Sequence, residues 1–383
     1  MTGLADYTTL GLGGPAGSFV AASTEPELIA AVAAADAAAE PVLLIGGGSN
    51  LVIADDGFGG TVIHLNTRGV SYAEAGDGRA DVTVAAGEDW DDVVAATVAE
   101  GLAGLECLSG IPGRAGATPI QNVGAYGREV AEVITTVRVF DRLRRQIQVI
   151  PNERCRFSYR NSMFKAGSQG GSGGRAVPPS GGSPGGRPPG VSRVGEPGRY
   201  VVLAVTFRLA REPLSMPVKY AELAAELDVE LGARAGVGEV RSGVLKIRSR
   251  KGMVLNPGDP DSRSAGSFFT NPVLDAEQFA RVQSAAAGAP GAAGAPGPVP
   301  RFDAGDGLVK VPAAWLIEHA GFGKGYGAPG RARVSSKHTL ALINAGGATT
   351  ADLLALAREI RDGVRAAFGV TLDPEPILVG VTL

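Results

Sequence analysis

The chain predicts a protein of two or three domains with α/β character near both ends, on three observations. Its 383 residues exceed what one hydrophobic core normally serves. Hydrophobic residues at 44% and charged residues at 20% describe an ordinary globular protein. Helix-capping signals alternate with short apolar runs near both ends, while glycine-rich and alternating stretches fill the middle.

The elements follow in order. Thr24, Glu25, Pro26 and Glu27 form a capping box with proline in the first turn, and Leu28, Ile29 and Val32 continue at helical spacing. Val42–Ile45 is a short buried strand running into a glycine loop, and Leu51–Ile53 and residues 61–65 are further strands. A second lobe begins near Asn66, with a strand at 82–86 and a helix from about Glu88 that stops at Gly101. Residues 166–198 are mostly Gly, Ser, Pro and Arg, and cannot offset their ordering entropy, so a disordered loop is expected. Residues 200–209, YVVLAVTFRL, resume as an alternating strand, and 285–300 reads as an Ala-Gly-Pro linker. Thr349, Thr350, Ala351 and Asp352 cap a helix with Leu353, Ala357, Ile360, Val364 and Phe368 on one face, stopped at Gly369. A strand is expected at 370–372, and Glu375 then stands between two prolines that restrict its backbone.

Several function classes lose support at this stage. A net charge of −3 supplies no basic field for nucleic acid or an anionic membrane surface. The N-terminus lacks a signal-peptide pattern and no apolar run is long enough to span a bilayer, so a cytoplasmic protein is expected. The two cysteines, Cys107 and Cys155, form no disulfide framework and read as packed, inert thiols. Three scattered histidines, His64, His319 and His338, have no metal-ligand spacing, and no protein partner is indicated.

Two segments point to a ligand. Residues 45–51 read IGGGSNL and residues 111–127 read IPGRAGATPIQNVGAYG. Segments this rich in small residues bury little apolar area. They do let phosphate oxygens approach bare backbone N–H groups, which suggests a dinucleotide pyrophosphate. The first is neither the Rossmann G-x-G-x-x-G fingerprint nor a Walker loop, because no matching glycine spacing or Gly-Lys-Ser/Thr is present.

These two segments, together with FSYRNSMFK at 157–165, AGSFFTNP at 265–272, KVPAAWLIE at 310–318 and DPEPILVG at 373–380, resemble the UDP-N-acetylenolpyruvoylglucosamine reductase (MurB) family. The likeness is to the class with a substrate-closing tyrosine loop, and the blocks run in order across almost the whole chain. The resemblance implies an α+β protein, a two-lobed FAD-binding fold of the vanillyl-alcohol/p-cresol oxidase type plus a C-terminal α/β substrate-binding domain. On that plan 1–66, completed by 372–383, is the first FAD lobe, 67–212 the second and 213–371 the substrate domain. It also implies noncovalent FAD, NADPH as hydride donor and a UDP-sugar nucleotide substrate.

By the same resemblance, Gly46, Gly47, Gly48, Ser49, Asn50 and Leu51 match one flavin-binding segment. Ile111, Pro112, Gly113, Gly116, Ala117, Ile120, Asn122, Gly124 and Ala125 match the other, and Arg248 in KIRSRK matches a flavin-proximal arginine. Ser267 matches the proton donor, Arg160 the arginine facing the substrate carboxylate, and Glu375 the second catalytic acid. A carboxylate beside developing negative charge is unfavourable, so Glu375 needs a proton or a bridging hydrogen bond. Tyr159, Tyr220, Lys251, Asn271 and Lys310 match substrate-binding positions. Phe302 is a departure, since many relatives have tyrosine eight residues before the lysine of the KVPAAW block; a hydroxyl contact would be lost there while stacking survives. Trp315 in the same block reads as core. Another FAD-dependent enzyme of this fold, a sugar or aldonolactone oxidase, is the alternative; SFFTNP and DPEP speak against it, because an oxidase needs no carboxylate clamp and proton donor.

Overall fold

The computed structural model describes residues 1–165, 198–288 and 298–383. The expected insertion at 166–198 lies outside the described residues except for its last position. Of the expected linker, 285–288 form the end of the helix Ala276–Gly288, Val299 is buried, and 289–297 lie outside the described residues.

Two compact units result. One comprises 17–46 and 59–247, the other 1–16, 47–58 and 248–383.

In the first, local signals place the helix Glu25–Ala37 as expected. The Thr24 side chain accepts from the Glu27 N–H, the Glu27 carboxylate accepts from the Thr24 N–H, and Leu28 and Val32 are buried. Val42–Ile45 runs parallel to Phe58–Leu65, with Ile45 opposite His64. The latter strand starts three residues before the expected 61. The unit's main sheet is antiparallel, in the order Gln146–Pro151, Ile134–Asp141, Tyr200–Arg211, Arg79–Ala85, Val70–Gly76. Tyr200–Arg211 is central and buries Val205, Phe207 and Leu209, with Phe207 tilted 5.6 Å from Trp90 of the helix Trp90–Ala99. Val70–Gly76 escapes sequence reading for a physical reason: nearly every residue is exposed, so it carries no apolar alternation. A smaller core of Cys107, Val218, Leu223, Val240, Val244 and Ile247 groups 213–247 with this unit. Both cysteines are buried, and burial first pushes each thiol up to about 12, with Glu106 adding at Cys107 and Glu153 at Cys155.

In the second unit, Thr349 caps Thr350–Phe368 through a capping box with Asp352, and Gly369 ends it at φ 70°. All five residues of the expected apolar stripe are buried. Trp315 packs on this core, 5.7 Å from Phe368, as expected. The expected strand at 370–372 is absent. Val370 and Leu372 are buried, but the regular pairing starts only after Pro376, where Ile377–Val379 runs parallel to Leu51–Ile53. No helix among the described residues is long and apolar enough to cross a membrane.

Candidate active site

The second unit brings Ser267, Glu375 and Asn50 together. Ser264–Ser267 pairs antiparallel with Ala341–Asn344, Ser264 opposite Ile343 and Ser267 opposite Ala341, with a register irregularity between them. Gly266 at φ 77° supplies the kink, a backbone state that re-aims the following side chain. Just beyond, the Phe268 N–H donates to Leu340 at 2.7 Å, and Phe268 and Phe269 anchor the strand as fully buried, edge-packed rings. The prolines then do what their spacing promises. Residues 373–375 lie antiparallel to 268–270, the Glu375 N–H donating to the Phe268 carbonyl at 2.9 Å and the Thr270 N–H to Asp373 at 3.0 Å. Glu375 is thus one hydrogen bond from the residue next to Ser267, and both are partly exposed. Asn50 of the glycine loop donates from Nδ2 to the Glu375 carbonyl at 3.4 Å, while its own carbonyl accepts from the Ile377 N–H at 2.9 Å.

Asn271 and Lys310 are neighbours in the same unit. Lys310 lies opposite both Val273 and Phe302 in a small sheet, and the Asn271 Oδ1 accepts from the Ala313 N–H at the start of the helix Ala313–His319. Phe302 is 57% exposed, so its ring stands beside Lys310 with no core role. Lys251 follows directly on the helix Val237–Arg250. Arg248 is buried, and its Nη2 donates to Met253 at 2.7 Å, which gives this arginine a task inside the protein.

The first unit holds the remaining positions. Tyr159 and Arg160 occupy a tight turn closed by Ser158 and Asn161, with Arg160 at φ 53° and its guanidinium 5.6 Å from the Tyr159 ring. This turn is docked on the 111–127 segment: the Ser162 Oγ donates to Ile120 at 2.6 Å and the Asn122 Nδ2 to Ser158 at 3.2 Å. Asn122 also accepts from the Ala131 N–H and donates to Glu129, so its buried amide builds the segment from within. Tyr220 is 43% exposed and meets Tyr126 edge-on.

Several glycines have protein partners that the sequence did not disclose. A Cβ on Gly46 would lie 2.9 Å from the Arg114 Cγ, and one on Gly116 2.4 Å from the Ala86 Cβ. A Cβ on Gly48, at φ 58°, would fall 1.8 Å from the Tyr7 carbonyl oxygen, and one on Gly124 2.8 Å from that of Arg128. Leu51 is a core residue of its strand, while Ala117 is exposed. Sequence reasoning passed over Arg114, the lone charge in the segment core, whose Nε is buried without a hydrogen-bond partner among the described residues. Burial, then Arg114, then Arg68 hold the His64 imidazole below its usual range, and the Gly46 carbonyl opposes them by a hydrogen bond. Arg114 and Arg68 each also face a carboxylate, Asp89 at 3.7 Å and Glu88 at 3.5 Å, while residues 45–51 themselves carry no acid. Among the described residues no cluster of His, Cys, Asp or Glu could hold a metal ion.

Comparison with known proteins supplies the family. The profile described as UDP-N-acetylenolpyruvoylglucosamine reductase, C-terminal domain, matches residues 259–379, and an FAD binding domain profile matches 16–144. The chain is similar to the UDP-N-acetylenolpyruvoylglucosamine reductase of Thermobifida fusca, at 51% identity over 99% of this chain and 97% of that one. It is likewise similar to that of Streptomyces coelicolor, at 53% identity over 99% and 90%. The solved structure of the enzyme from Thermus caldophilus superimposes with a TM-score of 0.60 at 25% identity, covering 99% of this chain and 97% of that one. The α+β fold with an FAD-binding domain, the match of the C-terminal profile and full-length likeness at about half identity lead to one assignment: the chain belongs to the UDP-N-acetylenolpyruvoylglucosamine reductase family.

Proposed function

We propose that this chain reduces UDP-N-acetylenolpyruvoylglucosamine to UDP-N-acetylmuramate for peptidoglycan precursor synthesis in the cytoplasm, with noncovalent FAD and with NADPH as hydride donor. The observation that carries the reading is the hydrogen bonding that sets Glu375 beside the Ser267 strand and fastens Asn50 to Glu375. Held by the glycine loop and the residues matched within 111–125, FAD would supply the hydride-transfer chemistry between NADPH and the terminal vinyl carbon.

The protein's own residues would do the rest. Arg160 would meet the substrate carboxylate and spread the negative charge that develops beside it. Its left-handed turn, braced through Ser158 and Ser162, supports that role by fixing the direction of the side chain. Ser267 would place its Oγ–H at the carbon that must be protonated, the Gly266 kink setting its aim. Glu375 would act protonated or through a shared hydrogen bond. Lys251, Asn271 and Lys310 would hold the diphosphate and sugar, with Tyr159 and Tyr220 against the rest of the nucleotide, and Arg248 would serve the flavin side while bracing Met253. The glycine loop at 46–51 and the residues matched within 111–125 would hold the FAD. The working domain plan is 1–66 with 372–383, then 67–212, then 213–371; the parallel pairing of 51–53 with 377–379 supports its first part, whereas the compact units divide 1–66 and group 213–247 with 59–212.

The test is anaerobic. The flavin-loaded enzyme is reduced with NADPH, the enolpyruvyl sugar nucleotide is added, and recovery of flavin absorbance is followed. Full recovery is expected. Ser267→Ala and Glu375→Gln should keep reduction by NADPH and slow reoxidation by about 10²–10⁴-fold. No recovery with authentic substrate sinks the assignment, and reduction by a polyol in place of NADPH would favour an oxidase. Near-normal reoxidation in Glu375→Gln would remove that residue's role.

A further inference from the structure

We propose that Tyr126 and Arg128, at the exit of the 111–127 segment, are positioning residues for Tyr220; the inference rests on the reading of Tyr220 as a substrate tyrosine. Residues 216–220 are gripped along their length by the flanks of that segment. At its entrance Glu106, 1% exposed, accepts from the Met216 N–H at 3.1 Å with one oxygen and from the Gly104 N–H at 2.5 Å with the other. At its exit the Arg128 Nη2 donates to the Pro217 carbonyl at 2.7 Å while Nη1 pairs with Glu132. Pro217 has no N–H, so this carbonyl is its one backbone handle. Val218 is sunk in the core with Leu223 and Val240. A Cβ on Gly127 would lie 2.9 Å from the Lys219 Cβ, so the two chains touch there.

The last grip is on Tyr220 itself. Its ring meets Tyr126 edge to face, with centroids 5.4 Å apart and planes at 88°. Tyr220 is 43% exposed, so burial alone does not orient it. Tyr126 adopts φ 51°, a left-handed state that costs a non-glycine residue and that the surrounding contacts must hold in place. The segment matched to the cofactor and the loop matched to the substrate therefore share one support.

Steady-state kinetics separates this role from a merely structural one. Tyr126→Ala should raise KM for the enolpyruvyl sugar nucleotide about three- to tenfold, the range of one lost aromatic pair. kcat, and flavin reduction at saturating NADPH, should stay within about twofold of the parent. Tyr126→Phe should behave as the parent. Tyr126→Leu, which keeps apolar packing on the Val218 core, should raise KM like alanine. Adding Tyr126→Ala to Tyr220→Ala should cause no further rise. The inference is overturned if Tyr126→Leu restores KM, or if the two alanine effects multiply. If Tyr220→Ala leaves KM unchanged, the substrate role of Tyr220 fails, and this inference with it.

Discussion

Gly116 is the sharpest test of how the 111–127 segment is built. A Cβ added there would stand 2.4 Å from the Ala86 Cβ and 2.8 Å from its Cα. Carbon atoms in contact sit at about 3.5–4.0 Å, so Gly116→Ala must part the two backbones by roughly 1 Å. They resist parting, because the Gly116 N–H donates to the Ala86 carbonyl at 2.9 Å and both residues are buried. Overpacking at such a site costs about 1–3 kcal/mol, which corresponds to a fall in melting temperature of about 1–4 °C for a protein of this size. The same displacement moves the segment proposed to hold FAD, so retained flavin should fall as well. Gly59→Ala is the control: nothing lies within 4 Å of its added Cβ, and its change should stay within about 1 kcal/mol. Thermal unfolding by circular dichroism, with flavin absorbance after gel filtration, reads both effects. A Gly116→Ala protein that melts with the parent and keeps its flavin would refute the packing argument, as would equal damage from Gly59→Ala.

Three further outcomes follow from burial and charge. His64 is held below the free-histidine value of 6.5 by burial and by Arg114 and Arg68, so its share of stability is full above that value and is lost as pH falls through it towards the lower folded value. Urea unfolding between about pH 7.5 and pH 5 should therefore show a shallower pH slope in His64→Gln than in the parent, and equal slopes count against the assignment. Asp261 is 6% exposed; burial works against its charge, but hydrogen bonds from the Ser336 side chain and N–H, at 2.6 and 2.9 Å, hold its carboxyl below the usual 3.8. Its contribution is present above that value and disappears as pH falls through the folded one, so Asp261→Asn should cost about 1–3 kcal/mol at neutral pH and flatten the acid limb of the unfolding curve. Both cysteines, at about 12, should react with a thiol reagent at about pH 8 roughly a thousandfold more slowly than a free thiol and together on unfolding; fast labelling of either in the native state contradicts their burial.

Legibility in the sequence tracks the range of the forces involved. The start of the helix at 25–37 and both ends of that at 350–368 were readable to within a residue, because caps and apolar spacing act over a few positions. The strand Val70–Gly76 was invisible because both its faces are largely wet. The strand expected at 370–372 failed because burial does not supply a pairing partner; regular pairing begins only with 377–379, which run beside Leu51–Ile53. For the candidate site, resemblance named Ser267, Glu375 and Asn50, but nothing in the local pattern said that they meet. Asn122 and Arg248 were matched to the flavin, and their observed bonds lie within the protein.

The sequence by itself determined which residue types stand where: a glycine loop without acids, a constrained segment at 111–127, an acid between two prolines, and caps that start the helices. Only the tertiary structure decided what those types are for. Gly46, Gly48 and Gly116 are small because Arg114, Tyr7 and Ala86 occupy the space a side chain would need. Glu375 stands beside the Ser267 strand because residues 373–375 bond to 268–270. The reason is physical: propensity and capping act between near neighbours, whereas excluded volume and a hydrogen bond between distant strands exist only once the chain has closed on itself.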